Sequence, residues 1–267
     1  MLLAKDTIIT CSLSSGSSGN SIYIGGEEGE ILIDAGIAAK SIADKLRKVG
    51  TGIENITAIF ITHEHIDHVR GLDILLKHRE IPVYMNRRTY NALYIPPHVG
   101  RCVRVIDGEE IKVGSFAVRS FPTPHDSAAS VGYTISREGR KLIGVATDIG
   151  HLTDVIAERL TGCHTVYIES NHDVRRLMNG SYAPSLKRRI LSPNGHLANE
   201  DCARFLPALV EAGTKNIILF HLSRENNTEA LAMGQALSAL SSGGLDWRAV
   251  NIQIAPPTEI SGLMEIS

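Results

Sequence analysis

The sequence contains few cysteines, and their spacing gives no sign of a shared site. Cys11, Cys102, Cys163 and Cys202 are scattered over 267 residues, and no two of them form a Cys-x-x-Cys pair. This pattern argues against a disulfide framework or a Cys-x-x-Cys metal or redox motif. We therefore expect four single thiols, buried or half-buried, as in a protein of the reducing cytosol.

The sequence also has no long apolar run, no secretory signal and no excess of positive charge. No apolar run approaches the length that spans a bilayer, and residues 1–6 lack the basic start and apolar core of a signal peptide. We expect a cytoplasmic protein without membrane contact. A net charge of −2 supplies no global basic field for nucleic-acid binding. A polyanionic substrate would therefore have to be attracted by metal ions and a local patch.

What the sequence does contain is typical of a globular protein. Hydrophobic residues make up 43% of it, and its length suits one large domain or two small ones. Predicted strands occur in blocks with interspersed helices, in two similar halves. The sequence therefore predicts an α/β (α+β) fold, and we expect residues 1–267 to form a single domain.

The most informative segment is Thr62-His63-Glu64-His65-Ile66-Asp67-His68. It follows an apolar run at 58–61, typical of a buried strand, and precedes a helix predicted over 69–78. Residues i and i+2 of an extended segment point the same way, so His63 and His65 can bind one cation. Asp67 and His68 follow the turn and can bind a second, because imidazole suits zinc and carboxylate suits zinc or harder ions. The alternative, an exposed polar turn without metal, is disfavoured by so many ligand-type residues after a buried strand.

Three further ligand-type residues follow predicted strands. His125 lies on a loop stiffened by Pro122 and Pro124, Asp148 follows the strand at 141–146, and His221 follows the strand at 216–220. A lone histidine after a strand is usually incidental. The repeated placement at strand ends favours convergence of these residues at one edge of the fold.

The spacing His-x-His-x-Asp-His at residues 63–68 resembles the signature of the metallo-β-lactamase superfamily. The resemblance implies a four-layer αββα sandwich in which two sheets pack face to face. It also implies two divalent metal ions, zinc or manganese, that share a hydroxide. The ligands it implies are His63, His65 and His125 for one ion, Asp67, His68 and His221 for the other, and Asp148 as the bridge. Asp34 would either support the metal-binding loop or cap the helix that begins near Ala38.

Two other segments resemble the tRNA 3′-processing endonucleases of this superfamily. Glu169-Ser170-Asn171-His172 is similar to their His-Glu-Ala-Thr element, and Gly195-His196-Leu197 is similar to their Gly-His-Ser/Thr element. The resemblance implies that Glu169 pairs with His196 beside the scissile phosphate. It therefore implies a phosphodiester hydrolase rather than a thioester or lactam hydrolase, with Asp67, His196 and Glu169 as catalytic residues.

The chain looks most similar to the compact bacterial YycJ/WalJ group. Residues 149–220 leave no room for the large insertion of the RNase J branch, and no Gly/Pro-rich tRNA-binding arm is visible. Ser-Gly-Ser-Ser-Gly-Asn-Ser at 15–21 and His-Leu-Ser-x-Glu-Asn-Asn at 221–227 also fit the group. This resemblance implies a 5′-to-3′ DNA exonuclease. The alternatives are a small-molecule phosphodiesterase resembling PhnP, an RNA-processing nuclease, and a metal-dependent regulatory protein without hydrolytic activity.

Residues for substrate binding come from the loops near these motifs. The small residues at 14–21 either bind a terminal phosphate through backbone N–H groups or form a plain flexible turn. The basic run at 187–189 is either a solvated helix face or a phosphate-binding patch. DNA is expected as the partner more than RNA, and a homo-oligomer is left open. The predicted substrate-binding residues are Ser17, Ser18, Asn20, Asn171, His172, Ser223 and Asn226.

Overall fold

The computed structural model describes residues 7–26 and 29–266. The turn predicted at 25–29 therefore lies partly outside the described residues. The chain divides into two compact units. The first contains the described residues through Arg119, Ser127–Ala129 and the segment from Pro256 onward, and the second contains Ser120–Asp126 and Ser130–Ala255. The single domain expected from the sequence stays a prediction.

The strands are short, and most are buried. They are β1 Ile8–Ser14, β2 Ser21–Gly26, β3 Gly29–Ile33, β4 Ile56–Phe60, β5 Val83–Asn86, β6 Val103–Ile106, β7 Glu110–Val113, β8 Phe116–Pro122, β9 Val131–Arg137, β10 Arg140–Ala146, β11 Thr165–Glu169, β12 Asn216–Phe220, β13 Asn251–Ile254 and β14 Met264–Ile266.

Two mixed sheets organise these strands. One has the order β14-β1-β2-β3-β4-β5-β6, and the other has the order β13-β12-β11-β10-β9-β8-β7. In the first sheet, β3, β4, β5 and β6 run parallel. In the second, β10, β11, β12 and β13 run parallel. Parallel strands buried on both faces explain the continuous apolar runs at β4, β11 and β12, and polar residues follow the carboxyl ends of these strands.

The helices connect the strands within each unit. They are α1 Ala39–Val49, α2 Ile66–Val69, α3 Leu72–Leu76, α4 Arg87–Ala92, α5 Pro97–Cys102, α6 Asp154–Leu160, α7 Val174–Asn179, α8 Pro184–Ile190, α9 Asn199–Glu211 and α10 Glu229–Ser242. Ile42 and Leu46 of α1 join the core of the first unit. Leu206 and Leu209 of α9 and Ala236 of α10 join the core of the second.

Several element predictions are corrected by the structure. The helix predicted over 69–78 is two helices, α2 and α3, separated at Arg70 and Gly71. The break is fixed by Gly71, whose N–H donates to the Ala35 carbonyl at 2.7 Å. A Cβ at this position would lie 2.5 Å from the Ile37 carbonyl oxygen. The apolar pattern also predicts closing strands over 247–254 and 260–266. In the structure the first of these segments starts with a 3₁₀ turn at Trp247–Ala249, and the second contains only the short strand β14.

All four cysteines are buried and unpaired, as predicted. Burial raises the pKa of the Cys11, Cys163 and Cys202 thiols to about 12, so these side chains stay protonated and unreactive. Within the part of the chain that the structure describes, we find no helix that is long and apolar enough to cross a membrane.

Candidate metal centre and catalytic residues

In the first unit, His63 and His65 lie directly beyond the carboxyl end of β4. The chain turns there, and α2 begins immediately after His65. His63 is fully buried, and its Nε2 lies 3.0 Å from Nδ1 of His65. The two imidazoles therefore meet, as their i, i+2 spacing predicts. A separation of this size between two ring nitrogens suits a shared cation.

Asp67 and His68 form a second pair on α2, in the same unit. Asp67 Oδ2 lies 3.7 Å from His68 Nε2. The buried Asn20 amide lies against both, with its Nδ2 at 3.0 Å from His68 Nε2 and 3.5 Å from Asp67 Oδ2. We predicted that Asn20 binds substrate. That role stays a prediction, and the contacts show that the buried Asn20 amide also positions the pair.

Asp34 supports the loop that carries these residues. Its Oδ1 accepts the Thr62 N–H at 2.8 Å, and its Oδ2 lies 2.7 Å from His68 Nδ1. Burial raises the pKa of Asp34, and His68 and Thr62 oppose that effect. A carboxylate on Nδ1 fixes the imidazole so that Nε2 is the nitrogen available to a metal. The alternative role as a helix cap is wrong, because Ala38 precedes α1 and no side chain caps it.

Gly36 allows the chain after Asp34 to approach the ligand loop closely. A Cβ at Gly36 would lie 1.6 Å from the carbonyl oxygen of Asp67. That carbonyl accepts the Asn20 N–H at 2.8 Å, and the His68 carbonyl accepts the Ala35 N–H at 2.9 Å. Main-chain hydrogen bonds thus fix the orientation of α2 and its two ligand-type side chains.

In the second unit, four acidic and imidazole side chains converge beyond β10, β11 and β12. Asp148, Glu169, His196 and His221 offer ligand atoms that lie within 4.8 Å of one another. Asp148 Oδ1 lies 3.4 Å from His221 Nδ1 and 3.7 Å from His196 Nδ1. Asp148 and His221 have φ values of 52° and 57°, uncommon for residues other than glycine. Such conformations are concentrated at functional sites.

His125 belongs to the same cluster, because its Nε2 lies 3.9 Å from Asp148 Oδ1. Its Nδ1 donates to the Gly195 carbonyl at 3.1 Å, which directs Nε2 toward Asp148. The loop before it is fixed by a hydrogen bond from the Gly150 N–H to the Pro124 carbonyl, at 2.7 Å. Burial lowers the pKa of His125, although Asp148 acts in the opposite direction. The ring is therefore neutral at pH 7, the form that binds metals.

Glu169 connects two histidines. Its Oε1 accepts from His196 Nδ1 at 2.8 Å and from His221 Nδ1 at 3.0 Å. Its Oε2 accepts the Ile149 N–H at 2.7 Å and the Leu197 N–H at 3.2 Å. Burial acts to raise the pKa of Glu169, but His196 and His221 outweigh it and hold the pKa at about 2. The pKa of His196 is raised, because Glu169 outweighs the lowering effect of burial.

Three predicted substrate-binding residues of the second unit are buried. The Asn171 amide donates to the His221 carbonyl at 2.8 Å, so it positions that histidine. Asn226 is 2% exposed, and its carbonyl accepts the Asp173 N–H. His172 is 1% exposed, and neither ring nitrogen has a hydrogen-bond partner among the described residues. The substrate-binding roles of these three residues stay predictions, and the contacts described show in addition what each side chain or main chain holds in place. Ser17, Ser18 and Ser223 are exposed or half-buried, and their roles stay predictions.

The structure also identifies residues that the sequence did not single out. Arg70 donates from its guanidinium to the Ser18 carbonyl at 2.9 Å, which adds a positive charge to the loop at 14–21. The Asn227 amide donates to the carbonyls of Ser170 and Asn171, both at 2.9 Å. In the sequence, the role of Asn227 is indicated only by its position at the end of the His-Leu-Ser-x-Glu-Asn-Asn segment. His151, by contrast, is singled out by the sequence three residues after Asp148, either at the mouth of the site or as an exposed loop histidine. It is exposed, and its Nδ1 lies 2.9 Å from the Pro193 carbonyl.

The donor sets fit divalent metal ions. They consist of imidazole nitrogens and carboxylate oxygens, the donors that zinc and related ions use in proteins. Three of the imidazoles are fixed through Nδ1, His68 by Asp34, His125 by Gly195 and His221 by Glu169. This arrangement, in which the second ring nitrogen is bound to a carboxylate or carbonyl, is typical of histidines that bind metals.

The fold and this chemistry define a class of protein. A family model of the beta-lactamase superfamily domain matches residues 30–222, and the chain belongs to this superfamily. The two mixed sheets with their helices have the corresponding fold, so the predicted family and fold class are confirmed.

Particular relatives cover most of the chain. It is 37% identical over 237 residues to "Exodeoxyribonuclease YycJ" of Bacillus anthracis, covering 87% of this chain and 89% of the relative. It is 35% identical over 238 residues to "Exodeoxyribonuclease WalJ" of Streptococcus pneumoniae, covering 87% and 88%. Among solved structures, the metallo-beta-lactamase fold protein YhfI of Bacillus subtilis has a TM-score of 0.69 and 15% identity, covering 98% of this chain and all of that one. The last likeness concerns the fold alone.

Proposed function

We propose that this protein is a metal-dependent phosphodiester hydrolase that degrades DNA from the 5′ end. The observation that carries the proposal is the Glu169–His196 pair, which lies against Asp148 and His221 in one cluster. The two relatives named exodeoxyribonucleases support the choice of DNA as substrate. The cytoplasmic location and the oligomeric state stay predictions.

The residues that would hold two divalent ions are the seven predicted from the sequence. They are His63, His65, Asp67, His68, His125, Asp148 and His221. When bound, the ions supply Lewis acidity toward the phosphodiester and activate water at neutral pH. Zinc is favoured by the intrinsic affinity of imidazole-rich sites, but metal availability in the cell decides which ion is bound, so manganese stays the second candidate.

His196 is the member of the second-unit cluster that a substrate can reach. Its side chain is 20% exposed, whereas those of Asp148, Glu169 and His221 are at most 4% exposed. Because Glu169 binds Nδ1 and raises the pKa of the ring, His196 can be protonated and present an N–H at Nε2. It would donate this proton to the leaving alcohol oxygen of the scissile phosphodiester.

In the first experiment, the purified protein is incubated with zinc or manganese and one of four substrates. Three are end-labelled, namely single-stranded DNA, double-stranded DNA and RNA, and the fourth is a chromogenic bis-aryl phosphodiester. We expect mononucleotides to appear at once from 5′-labelled DNA and a ladder of shortened products from 3′-labelled DNA. Internal cleavage of DNA would contradict exonuclease action. Hydrolysis of RNA alone, or of the small diester alone, would favour one of the alternatives and contradict the DNA proposal.

The direction of degradation is the finest part of the proposal. The loop at 14–21 and Arg70 would bind a terminal phosphate together. The Arg70 guanidinium donates to the Ser18 carbonyl, and this hydrogen bond places a positive charge beside the main-chain N–H groups of the loop. We therefore expect 5′-phosphorylated DNA to be degraded faster than the same strand with a 5′-hydroxyl. Equal rates on the two ends would contradict this role of the loop.

A further inference from the structure

One segment of the chain has a locally positive charge, although the whole protein carries a net charge of −2. Residues 174–199 contain no aspartate or glutamate. Their positively charged residues are Arg175, Arg176, Lys187, Arg188 and Arg189. The first two lie on α7 and the other three on α8. We call the segment from Val174 to Ile190 the basic hairpin.

The basic hairpin is built as a defined structure. The Asp173 side chain caps α7 by accepting the Arg176 N–H at 2.7 Å. Lys187 reaches from α8 to the end of α7, where its ammonium donates to the carbonyls of Met178 and Gly180 at 2.7 and 2.8 Å. This contact satisfies carbonyls that the end of a helix leaves unpaired. The positively charged side chains of the basic hairpin thus lie on two helices that this contact holds together.

Most of this positive charge is not neutralised. Among the described residues, Arg189 is the only one of the five that makes a salt bridge, with Asp126. Arg176 donates to a neutral acceptor, the Glu225 carbonyl at 3.3 Å. Arg175 and Arg188 are exposed. A surface with several uncompensated cations attracts a polyanion and binds it in a salt-dependent manner.

Both ends of the basic hairpin are attached to the catalytic residues of the same unit. It begins after Asp173, four residues beyond Glu169. At its other end, the His196 N–H donates to the Ile190 carbonyl at 2.9 Å. A Cβ at Gly195 would lie 2.1 Å from that carbonyl oxygen, so only glycine permits this close approach. A strand bound by the hairpin would therefore lead to His196.

We propose that the basic hairpin binds the phosphate backbone of the DNA strand whose end is cleaved at His196. The inference rests on the proposed function and adds to it the surface that distinguishes a polynucleotide from a small diester. Guanidinium and ammonium groups on phosphates carry no base information. The hairpin therefore binds strands of any sequence and positions them, while the metal ligands and His196 carry out the chemistry.

The test substitutes the two exposed, unpaired arginines together, Arg175→Gln with Arg188→Gln. For long single-stranded DNA we expect KM to rise roughly tenfold, equally for different base sequences, with the change on KM rather than on kcat. The slope of log(kcat/KM) against log salt concentration should decrease in magnitude by about 1.4, because each phosphate contact of a single strand contributes about 0.7. The matched control is Arg87→Gln with Arg88→Gln, an exposed arginine pair on α4, which should change neither quantity.

The outcomes separate this inference from the proposed function. If the wild type degrades DNA and the double variant keeps its KM and salt slope, the hairpin does not bind the strand. If the wild type degrades no DNA, the proposed function fails, and fluorescence anisotropy of labelled DNA then decides whether the two arginines contribute to binding. If the double variant melts at a lower temperature, the single variants replace it, each with about half the slope change. Competition by an acidic polypeptide as strong as by DNA would point to a protein ligand and overturn the proposal.

Discussion

At the scale of single residues, Glu169 shows how a buried charge is made tolerable. An unpaired carboxylate in a protein interior is strongly destabilising. Glu169 is 0% exposed, yet it accepts from two main-chain N–H groups and two imidazoles. The motif resemblance predicted its bond to His196. It did not predict the bond to His221, because no spacing reveals a contact between residues 52 positions apart.

The first residue-scale prediction concerns His196. His196→Ala removes the proposed proton donor, so turnover of a bis-aryl phosphodiester should fall by about 10²–10⁴-fold. The metal content should stay at the wild-type level, because the metal ligands are other residues. The control is His151→Ala, which removes an exposed loop histidine and should keep wild-type turnover. Unchanged turnover in His196→Ala with full metal content would contradict the proton-donor role.

The second residue-scale prediction concerns the acid stability of the fold. Burial lowers the pKa of His172 from 6.5 to about 4. Between these pH values the unfolded chain binds a proton that the folded chain does not, so stability falls as the pH falls. In His172→Phe this contribution disappears. Between pH 6.5 and pH 4 the free energy of unfolding should decrease in both proteins. The decrease should be smaller in His172→Phe than in the wild type, by up to about 3 kcal/mol.

Urea denaturation over this pH range measures that difference, with His151→Ala as the control for removal of an exposed histidine. The comparison concerns the pH dependence, and a uniform change in stability caused by repacking around the phenyl ring does not affect it. An acid dependence in His172→Phe as steep as in the wild type would contradict the buried, neutral state of His172.

At the scale of elements, the sequence predicts those strands and helices whose position is determined by a continuous or periodic pattern of apolar residues. The buried strands β4 and β12, predicted at 58–61 and 216–220, and the helix α1, predicted to begin near Ala38, fall close to their predicted positions. The pattern fails where single tertiary contacts decide. The break between α2 and α3 depends on the contact of Gly71 with the main chain of Ala35 and Ile37, and α5 and α6 are too short for a periodic signal.

The same distinction applies to the candidate site. Strand ends mark the positions of the ligand-type residues, so motif and pattern together find His63, His125, Asp148 and His221. They do not report which way a loop side chain points. Asn20 and Asn171 lie in segments that suggest substrate contact, and yet their amides point inward, toward His68 and His221. Only the folded chain shows that these amides contact the ligand-type histidines, whatever contact they also make with substrate.

The element-scale prediction tests the close approach at the end of β3. In Gly36→Ala the new methyl group would overlap the Asp67 carbonyl, 1.6 Å from its Cβ. We expect a loss of about 1–3 kcal/mol of unfolding free energy and weaker metal binding, because the carbonyl belongs to a ligand residue. Gly234→Ala is the matched control. Gly234 lies within α10 with nothing within 4 Å of its Cβ, so this change should stabilise by about 0.5–1 kcal/mol. Wild-type metal affinity and stability in Gly36→Ala would contradict the account.

At the scale of the whole molecule, net charge gives an incomplete picture of binding. The overall charge of −2 predicts no attraction to a polyanion. The acid-free segment 174–199, which begins five residues beyond Glu169 and includes His196, is locally basic. Because the field of an exposed charge falls off over about 10 Å at 0.1 M ionic strength, we expect a strand bound along this segment to respond to its local charge more than to the net charge of the whole protein.

The last prediction concerns the contribution of metal to the stability of the folded chain. Both units bury groups that are costly to desolvate, all of them at most 8% exposed: Asp34, His63, His68, His125, Asp148, Glu169 and His221. A cation that binds only the folded state stabilises it, by about 2.7 kcal/mol at one hundred times its Kd. In a protein of this size each kcal/mol corresponds to about 2–4 °C. Chelation should therefore lower the melting temperature by about 5–10 °C, and added zinc or manganese should restore it. His221→Ala should show a smaller shift. If elemental analysis finds the chelated protein free of metal and its melting temperature is unchanged, the proposed ligands do not bind metal in the folded state.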